Sequence, residues 1–244
     1  MSNKHFFIFI DSRDKIYGTN TDFSIQENNF DLEPGLSVSV NLDECIFYNL
    51  QYPINSTNNT IIFQENSTAT DLTFSIDEGN YTGSELATIL ATELDSAGAN
   101  TYTVTHDDNT GKFSISIVAP DNFKFIQIDE LFGFDVMTTF LSAKTGDNPA
   151  ILSGHEYVDL MLPGLISQNI TSNNNNNGLI RRIPLDVNWG GLCVYKAAES
   201  DQSIVVNKEY LNNLRIELKN PDSTFFQLPD NSHLSITLKC TYQL

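Results

Sequence analysis

The sequence predicts a mainly β chain: an antiparallel jelly-roll β-sandwich carrying a small inserted α+β (β-β-α-β-β) domain. Three observations predict it. Short runs of Phe, Ile, Val, Tyr and Thr, punctuated by Asn, Asp, Gly and Pro, recur at both ends of the 244 residues, which is the composition of strands and turns. Between these ends stands a single convincing helix signal. Around that helix the pattern changes to hairpin, helix, hairpin. The expected organisation is therefore discontinuous, with 1–55 and 146–244 forming one sandwich and 56–145 a separate inserted domain. A hydrophobic content of 40%, with 16 Phe and 9 Tyr, is too rich for a disordered chain and ample for a core.

The elements follow in order. His5–Ile10 is an apolar strand, and Asp11, Arg13 and Asp14 come where a secretory leader would need a small-residue cleavage site, so a strand is expected there and not a leader. Asp11-Ser12-Arg13-Asp14 has both signs and suits a local ion pair at a turn. Extended chain restarts at Asp22–Ile25. Pro34-Gly35 signals a turn. Leu36, Val38, Val40 and Leu42 then alternate with Ser37, Ser39 and Asn41, the period of a strand with one buried face, and the run continues through Cys45–Tyr48.

In the middle, Thr60–Phe63 and Leu72–Ile76 read as one hairpin. Thr82 with Glu85 three positions on is a capping box, and Leu86, Ile89, Leu90 and Leu94 share one helical face. Gly98 is expected to supply a left-handed stop. Tyr102–Thr105 and Lys112–Ile117 flank a loop ending Asn109-Thr110-Gly111, a second hairpin. Phe123 and Phe125 alternate in a short strand, and Leu131-Phe132-Gly133-Phe134 is a compact apolar turn. Beyond the insertion, strands are expected at Val158–Leu162, Leu214–Lys219 and Leu234–Cys240, and Leu179–Leu185 is expected to run into a strand near Leu192–Tyr195. The five asparagines Asn173–Asn177 form a solvated loop.

Charge and chemistry exclude several functions. Lys plus Arg is 13 against 31 Asp plus Glu, a net charge of −18, which opposes binding along nucleic acid or docking on an anionic membrane. No apolar run approaches the roughly 20 residues of a membrane span. Cys45, Cys193 and Cys240 are odd in number and far apart, as expected of reduced core thiols. The sequons at Asn55, Asn58, Asn66, Asn80 and Asn169 are by-products of an Asn-rich sequence. His5, His106, His155 and His233 form no metal-ligand spacing, and neither a phosphate-binding Gly loop nor a nucleophile elbow is present. Asp107-Asp108-Asn109-Thr110-Gly111 lacks the alternate spacing and distal Glu of a calcium loop and reads as a hairpin turn. The expectation is no catalytic, cofactor-binding or metal site, and no enzyme.

Three sets of short motifs carry a resemblance. They are Ile10-Asp11-Ser12-Arg13-Asp14-Lys15 with Gly18-Thr19-Asn20-Thr21-Asp22-Phe23; Glu78-Gly79-Asn80-Tyr81-Thr82 with Glu85-Leu86-Ala87 and Leu131–Phe134; and Glu156-Tyr157-Val158-Asp159-Leu160 with Arg182-Ile183-Pro184-Leu185. Together they resemble the penton (vertex capsid) proteins of virophages, Polinton-like viruses and relatives in the adenovirus-type capsid lineage. The resemblance implies a single jelly roll with an outward insertion, present as a homopentamer at each icosahedral fivefold vertex, in contact with the major capsid protein and assembled in the host cytoplasm or a viral factory. Charge and the absence of a long apolar run separately lead to the expectation of no direct nucleic-acid contact and no membrane span. A carbohydrate-binding or host-attachment β-sandwich module is the alternative, with Tyr81, Tyr102 and Trp189 as the aromatic platforms for a sugar. A hydrolase on the same scaffold lacks a placed acid/base pair. If basic residues line ring contacts in so acidic a chain, Arg13, Arg181, Arg182 and Arg215 are the scarce candidates.

Overall fold

The computed structural model describes residues 3–26, 37–66, 70–118, 120–165, 178–198, 203–207 and 211–243. The expected turn at Pro34-Gly35, the Asn169 sequon and the Asn173–Asn177 loop lie outside the described residues. In chain order the strands are β1 (Asn3–Asp11), β2 (Tyr17–Gly18), β3 (Asp22–Gln26), β4 (Ser37–Tyr48), β5 (Thr60–Glu65) and β6 (Leu72–Ser75). The helix α1 (Gly83–Ala97) follows, then β7 (Tyr102–Asp107), β8 (Lys112–Ile117), β9 (Phe123–Gln127) and β10 (Ala143–Thr145). The chain ends with β11 (Tyr157–Met161), β12 (Leu179–Pro184), β13 (Leu192–Lys196), β14 (Ile204–Asn207), β15 (Asn213–Lys219) and β16 (Ser235–Gln243). Among the described residues no helix is long and apolar enough to cross a membrane.

Two compact units result, Met1–Gln51 with His155–Leu244, and Tyr52–Gly154. The divisions fall a few residues outside 56–145 for local reasons. Ile54 exchanges backbone hydrogen bonds with Gly79 (3.2 and 2.9 Å), Ala150 N–H donates to the Gly111 carbonyl (2.8 Å) and Ile151 N–H to that of Leu131 (2.8 Å). These bonds tie residues 52–55 and 146–154 to the inserted unit.

The first unit is a jelly roll. One sheet runs β1-β16-β4-β13, with β14 also on β4; the other runs β12-β11-β15-β3-β2, and every pairing is antiparallel. Along the chain the eight jelly-roll strands are β1, β3, β4, β11, β12, the β13/β14 pair, β15 and β16. The first, third, sixth and eighth share one sheet and the other four share the second, the arrangement of two interlocked Greek keys. The insertion lies between the third and fourth strands. The long β4 pairs with β16 along one side and with β13 and β14 at its two ends on the other. Its buried residues are Val38, Val40 and Leu42, then Cys45 and Phe47, so the inward face changes parity between 42 and 45. A bulge there, opposite Thr237 and Leu238, absorbs the extra residue and returns the second half of the strand to the core. Both sheets bury their inner faces in one core, from Val38 and Leu238 on one side to Ile216 and Leu160 on the other, with Phe47 edge-on to Phe226 at 5.4 Å.

The inserted unit holds two three-stranded sheets, β6-β5-β9 and β10-β8-β7. The segment leading into β10 links them: Leu141 bridges to Phe123 of β9, and Ala143–Thr145 pairs with β8. The helix packs on β7 and β6. Thr82 and Glu85 form the expected capping box, with Glu85 N–H donating to Thr82 Oγ1 (3.3 Å) and Thr82 N–H to Glu85 Oε2 (2.9 Å). Leu86, Leu90 and Leu94 are fully buried, and Ile89 is half-buried at the margin.

Gly98 departs from expectation: its φ of −95° is not left-handed. It is needed for close approach, because a Cβ there would come within 2.4 Å of Glu65 Oε1. Glu65 is buried in this core and accepts hydrogen bonds from Ala99 N–H (3.1 Å), Asn100 N–H (3.3 Å) and the Tyr102 hydroxyl (2.9 Å). One carboxylate thus satisfies the chain as it leaves the helix and turns into β7. Burial and this hydrogen bond together push the Tyr102 phenol well above its ordinary range. Gly133, at φ +76°, closes the apolar turn where a Cβ would meet the Asn148 carbonyl at 2.3 Å.

Two substitutions test this packing. Leu90→Ala removes a side chain with no exposed surface and should cost about 2–5 kcal/mol in urea melts. Glu65→Ala strands two backbone N–H groups and a hydroxyl and should cost about 3 kcal/mol, with Ala99 and Asn100 amides losing protection in hydrogen exchange.

Candidate interaction surfaces

Several residues capable of chemistry are occupied in structural roles. Among the described residues, no group of three His, Cys, Asp or Glu side chains is arranged to hold a metal. His106 lies 4.8 Å from Phe113 ring to ring and bonds Asp108 at 2.9 Å. Asp107 closes the hairpin by accepting from Asn109 N–H (3.0 Å) and the Thr110 hydroxyl (2.8 Å). All three cysteines are free and buried, and burial pushes their thiols up, Cys193 to about 11, Cys240 to about 12, and Cys45 well above its ordinary value. Thiols so disposed have little thiolate to offer.

Sequence reasoning missed one pair, Ser12 and His233, whose Oγ and Nδ1 lie 3.5 Å apart across 221 positions. Ser12 is fully buried and its Oγ accepts the Leu234 N–H (3.1 Å), so it is a corner fastening and no nucleophile. The surrounding motif has the same purpose. Lys15 Nζ donates to Asn20 Oδ1 (2.9 Å), and Asn20 Nδ2 donates to the Ser232 carbonyl (2.8 Å) and the Pro229 carbonyl (3.2 Å). The Thr19 hydroxyl accepts from Asp22 N–H (3.0 Å). Residues 11–22 therefore bind the corner between β1 and β3 to the loop before β16. Arg13 turns back on Asp11 and holds its carboxyl below the usual carboxylate range.

The outer face of the second sheet bears a ladder of ion pairs. Arg182 grips Asp159 with two bonds (2.9 and 3.1 Å) and lies over the Tyr157 ring. Lys219, in register with Asp159, bonds Glu217 at 2.6 Å. Arg215 spans Glu217 (2.8 Å) and Asp22 (3.0 and 3.1 Å). Asp159 and Glu217 are themselves buried beneath these cations. Of the four arginines, Arg13, Arg182 and Arg215 pair with carboxylates of their own chain, as expected for Arg13, and the Arg181 guanidinium lies 6.0 Å from the Tyr195 ring centroid. Arg13, Arg182 and Arg215 each face a carboxylate one strand or one turn away.

The outer face of the first sheet is different. Along β1, Phe7 and Phe9 point out and stack at 6.3 Å, with Phe9 77% exposed. At the opposite side, Leu192, Val194 and Val205 point out, 44%, 46% and 70% exposed. Between them lies Lys239 on β16, and on the far edge itself Lys196 of β13 pairs with Glu44 of β4 (3.4 Å).

In the inserted unit, a shallow hollow of about 210 Å³ on the β10-β8-β7 sheet is lined with hydroxyls from Thr103, Thr105, Ser114, Ser116 and Thr145, beside Lys144. None of the three proposed sugar platforms lines it. Tyr102 is buried against Glu65, Tyr81 donates its hydroxyl to the Asp77 carbonyl (2.8 Å), and Trp189 lies in the jelly-roll unit. Tyr81 and Tyr102 are both engaged in the core of the inserted unit.

No protein-family model and no curated protein sequence matches this chain. Solved structures do. The mavirus penton protein superposes with a TM-score of 0.55 at 11% identity, over 100% of both chains. A chain from the Sputnik virophage particle aligns with a TM-score of 0.44 at 11% identity, over 98% of this chain and 97% of that one. The first likeness establishes the fold at full length: a jelly roll of virophage-penton type with its insertion.

The Asp11–Arg13 pair has a definite pH signature. The Asp11 carboxyl is held below its unfolded value near 4, so the pair stabilises above that pH and its contribution disappears as pH falls through the lowered folded value. Thermal melts of the parent and Arg13→Ala should differ at neutral pH and converge in acid. A gap that widens in acid contradicts the assignment.

Proposed function

We propose that this protein is a structural viral capsid protein, a penton that forms homopentamers at the icosahedral fivefold vertices and contacts the major capsid protein. The observation that carries this reading is the match to the mavirus penton protein over the entire length of both chains, insertion included. Residue chemistry supports it. His106, His233, the cysteines and the acidic turn residues hold corners, hairpins and cores. The cysteines are reduced, which suits assembly in the host cytoplasm or a viral factory. The arginines are occupied within the chain, and a net charge of −18 keeps the protein off the packaged genome.

Charge also governs assembly. Five copies of a −18 chain repel one another, and with the arginines internally paired, ionic contacts do little to offset that repulsion. Pentamers should form more readily at about 0.15 M salt, where charges are screened over about 8 Å, than at about 0.01 M, where they act over about 30 Å. Light scattering coupled to size exclusion reads this directly as a species of five times 27.3 kDa that grows with salt. A pentamer that dissociates as salt rises argues instead for interfacial ion pairs. The role in the particle is tested by imaging virions. Density for this chain at the twelve vertices supports it, and placement inside the shell, in a fibre or outside the particle overturns it.

A further inference from the structure

We propose that copies of this chain join head to tail through the two edges of the first sheet: β1 of one copy lies along β13 and β14 of the next. The inference rests on the homopentamer reading and names its contact. Three observations carry it.

The first is an undefended edge. β1 pairs with β16 and with no other described strand. Natural sheet edges are protected by proline, bulges, inward charges or short length. β1 is nine residues long, runs in unbroken register with β16, and has no charged residue from Phe6 to Ile10. Its outward face presents the stacked Phe7 and Phe9, and a phenylalanine left 77% exposed on a strand edge is an anchor awaiting a pocket.

The second is a matching far edge. Cys193 and Val206 turn inward, so Leu192, Val194 and Val205 project from the same outer face that carries Phe7 and Phe9. Strand direction also agrees. β1, β16, β4 and β13 alternate, so a neighbour's β1 placed beside β13 in the same orientation runs antiparallel to it. The outward aromatic pair then meets the outward aliphatic trio as cross-strand neighbours. Because the two edges differ, the contact is heterologous, the kind that closes rings.

The third is charge. A second copy carries the same −18 and is repelled by acidic surface. The outer face of the first sheet carries Lys239 between its edges and Lys196, paired with Glu44, on the β13 edge, so it has no acidic excess. A like-charged copy approaches there at least cost, whereas a basic partner would be drawn to acidic surface elsewhere. A twofold contact between two β1 strands would use only one edge and leave Leu192, Val194 and Val205 bare.

The test uses Phe9→Asp and Val205→Asp in the full chain, both at exposed positions, with circular dichroism melts to verify folding and Val118→Asp, on the inserted unit, as a control that keeps assembly. Each edge variant alone should lose self-association by tenfold or more, because every contact in a head-to-tail ring needs one of each edge. Mixed one to one, they should give a heterodimer by native mass spectrometry, since Phe9→Asp retains the β13/β14 edge and Val205→Asp retains β1. If Val205→Asp still dimerises while Phe9→Asp does not, the contact is twofold and the proposal fails. Both variants assembling like the parent overturns the edge contact and leaves the pentamer standing. A parent chain monomeric at its highest soluble concentration also overturns the edge contact, and the imaging of virions then decides the capsid role separately.

Discussion

The jelly roll depends on one strand. β4 is hydrogen-bonded along both sides, to β16 on one and to β13 and β14 on the other, so it fixes the order of the whole first sheet. A strand of twelve residues is too long to keep one face on a twisted core without adjustment. The bulge after Leu42 makes that adjustment and returns Cys45 and Phe47 to the interior. Everything else follows from that geometry: where β1 and β13 end up as edges, where the insertion leaves the chain after β4, and which face of the sheet faces away from the core.

Polar side chains hold this scaffold together at its corners and across its second sheet. Asn20 and Ser12 fasten a turn to the loop before β16 over more than two hundred positions of sequence. Ion pairs tie β12 to β11 through Arg182 and Asp159, and β15 to β3 through Arg215 and Asp22, with Lys219 and Arg215 flanking Glu217 along β15. Buried Asp159 and Glu217 are tolerable only because each has a cation above it. The consequence for function is subtraction: cations used inside the chain are not available to phosphates or to a neighbour's carboxylates, which leaves apolar, charge-poor edges as the natural ground for contact between copies.

The inserted unit follows the same economy with different parts. Its three lysines, Lys112, Lys124 and Lys144, stand against a strongly acidic composition, and no arginine lies within Tyr52–Gly154. Its core is aromatic: Phe63, Tyr102, Phe123, Phe125 and Phe134 meet mostly edge to face at 5.4–6.0 Å, each ring presenting its positive edge to a neighbour's negative face. Glu65 is the exception among these apolar groups, and it is satisfied by backbone and phenol without any cation.

The sequence by itself determined much of this protein. Period-two alternation marked β4, β15 and β16, because one buried face writes itself into every second residue. The Thr82–Glu85 box and the spacing of Leu86, Leu90 and Leu94 marked α1, since capping and helical burial are local. Burial of Cys45 and Cys240 was legible for the same reason. The four residues of β14 were missed, as Ile204–Asn207 is too short for alternation to register and exists only because the end of β4 offers it a partner. Gly98 was assigned the wrong reason: the demand for glycine comes from Glu65, distant in sequence. The Asp11–Arg13 pair was legible because its partners are two residues apart, whereas no local signal pairs Arg215 with Asp22, 193 positions away. The apolar run at residues 5–10 gave a strand but not its exposure. Sequence reports which side chains alternate and which residues cap or turn. Only the tertiary structure decides which strand becomes an edge and which charge meets which, because both depend on pairing between segments that the chain brings together only on folding.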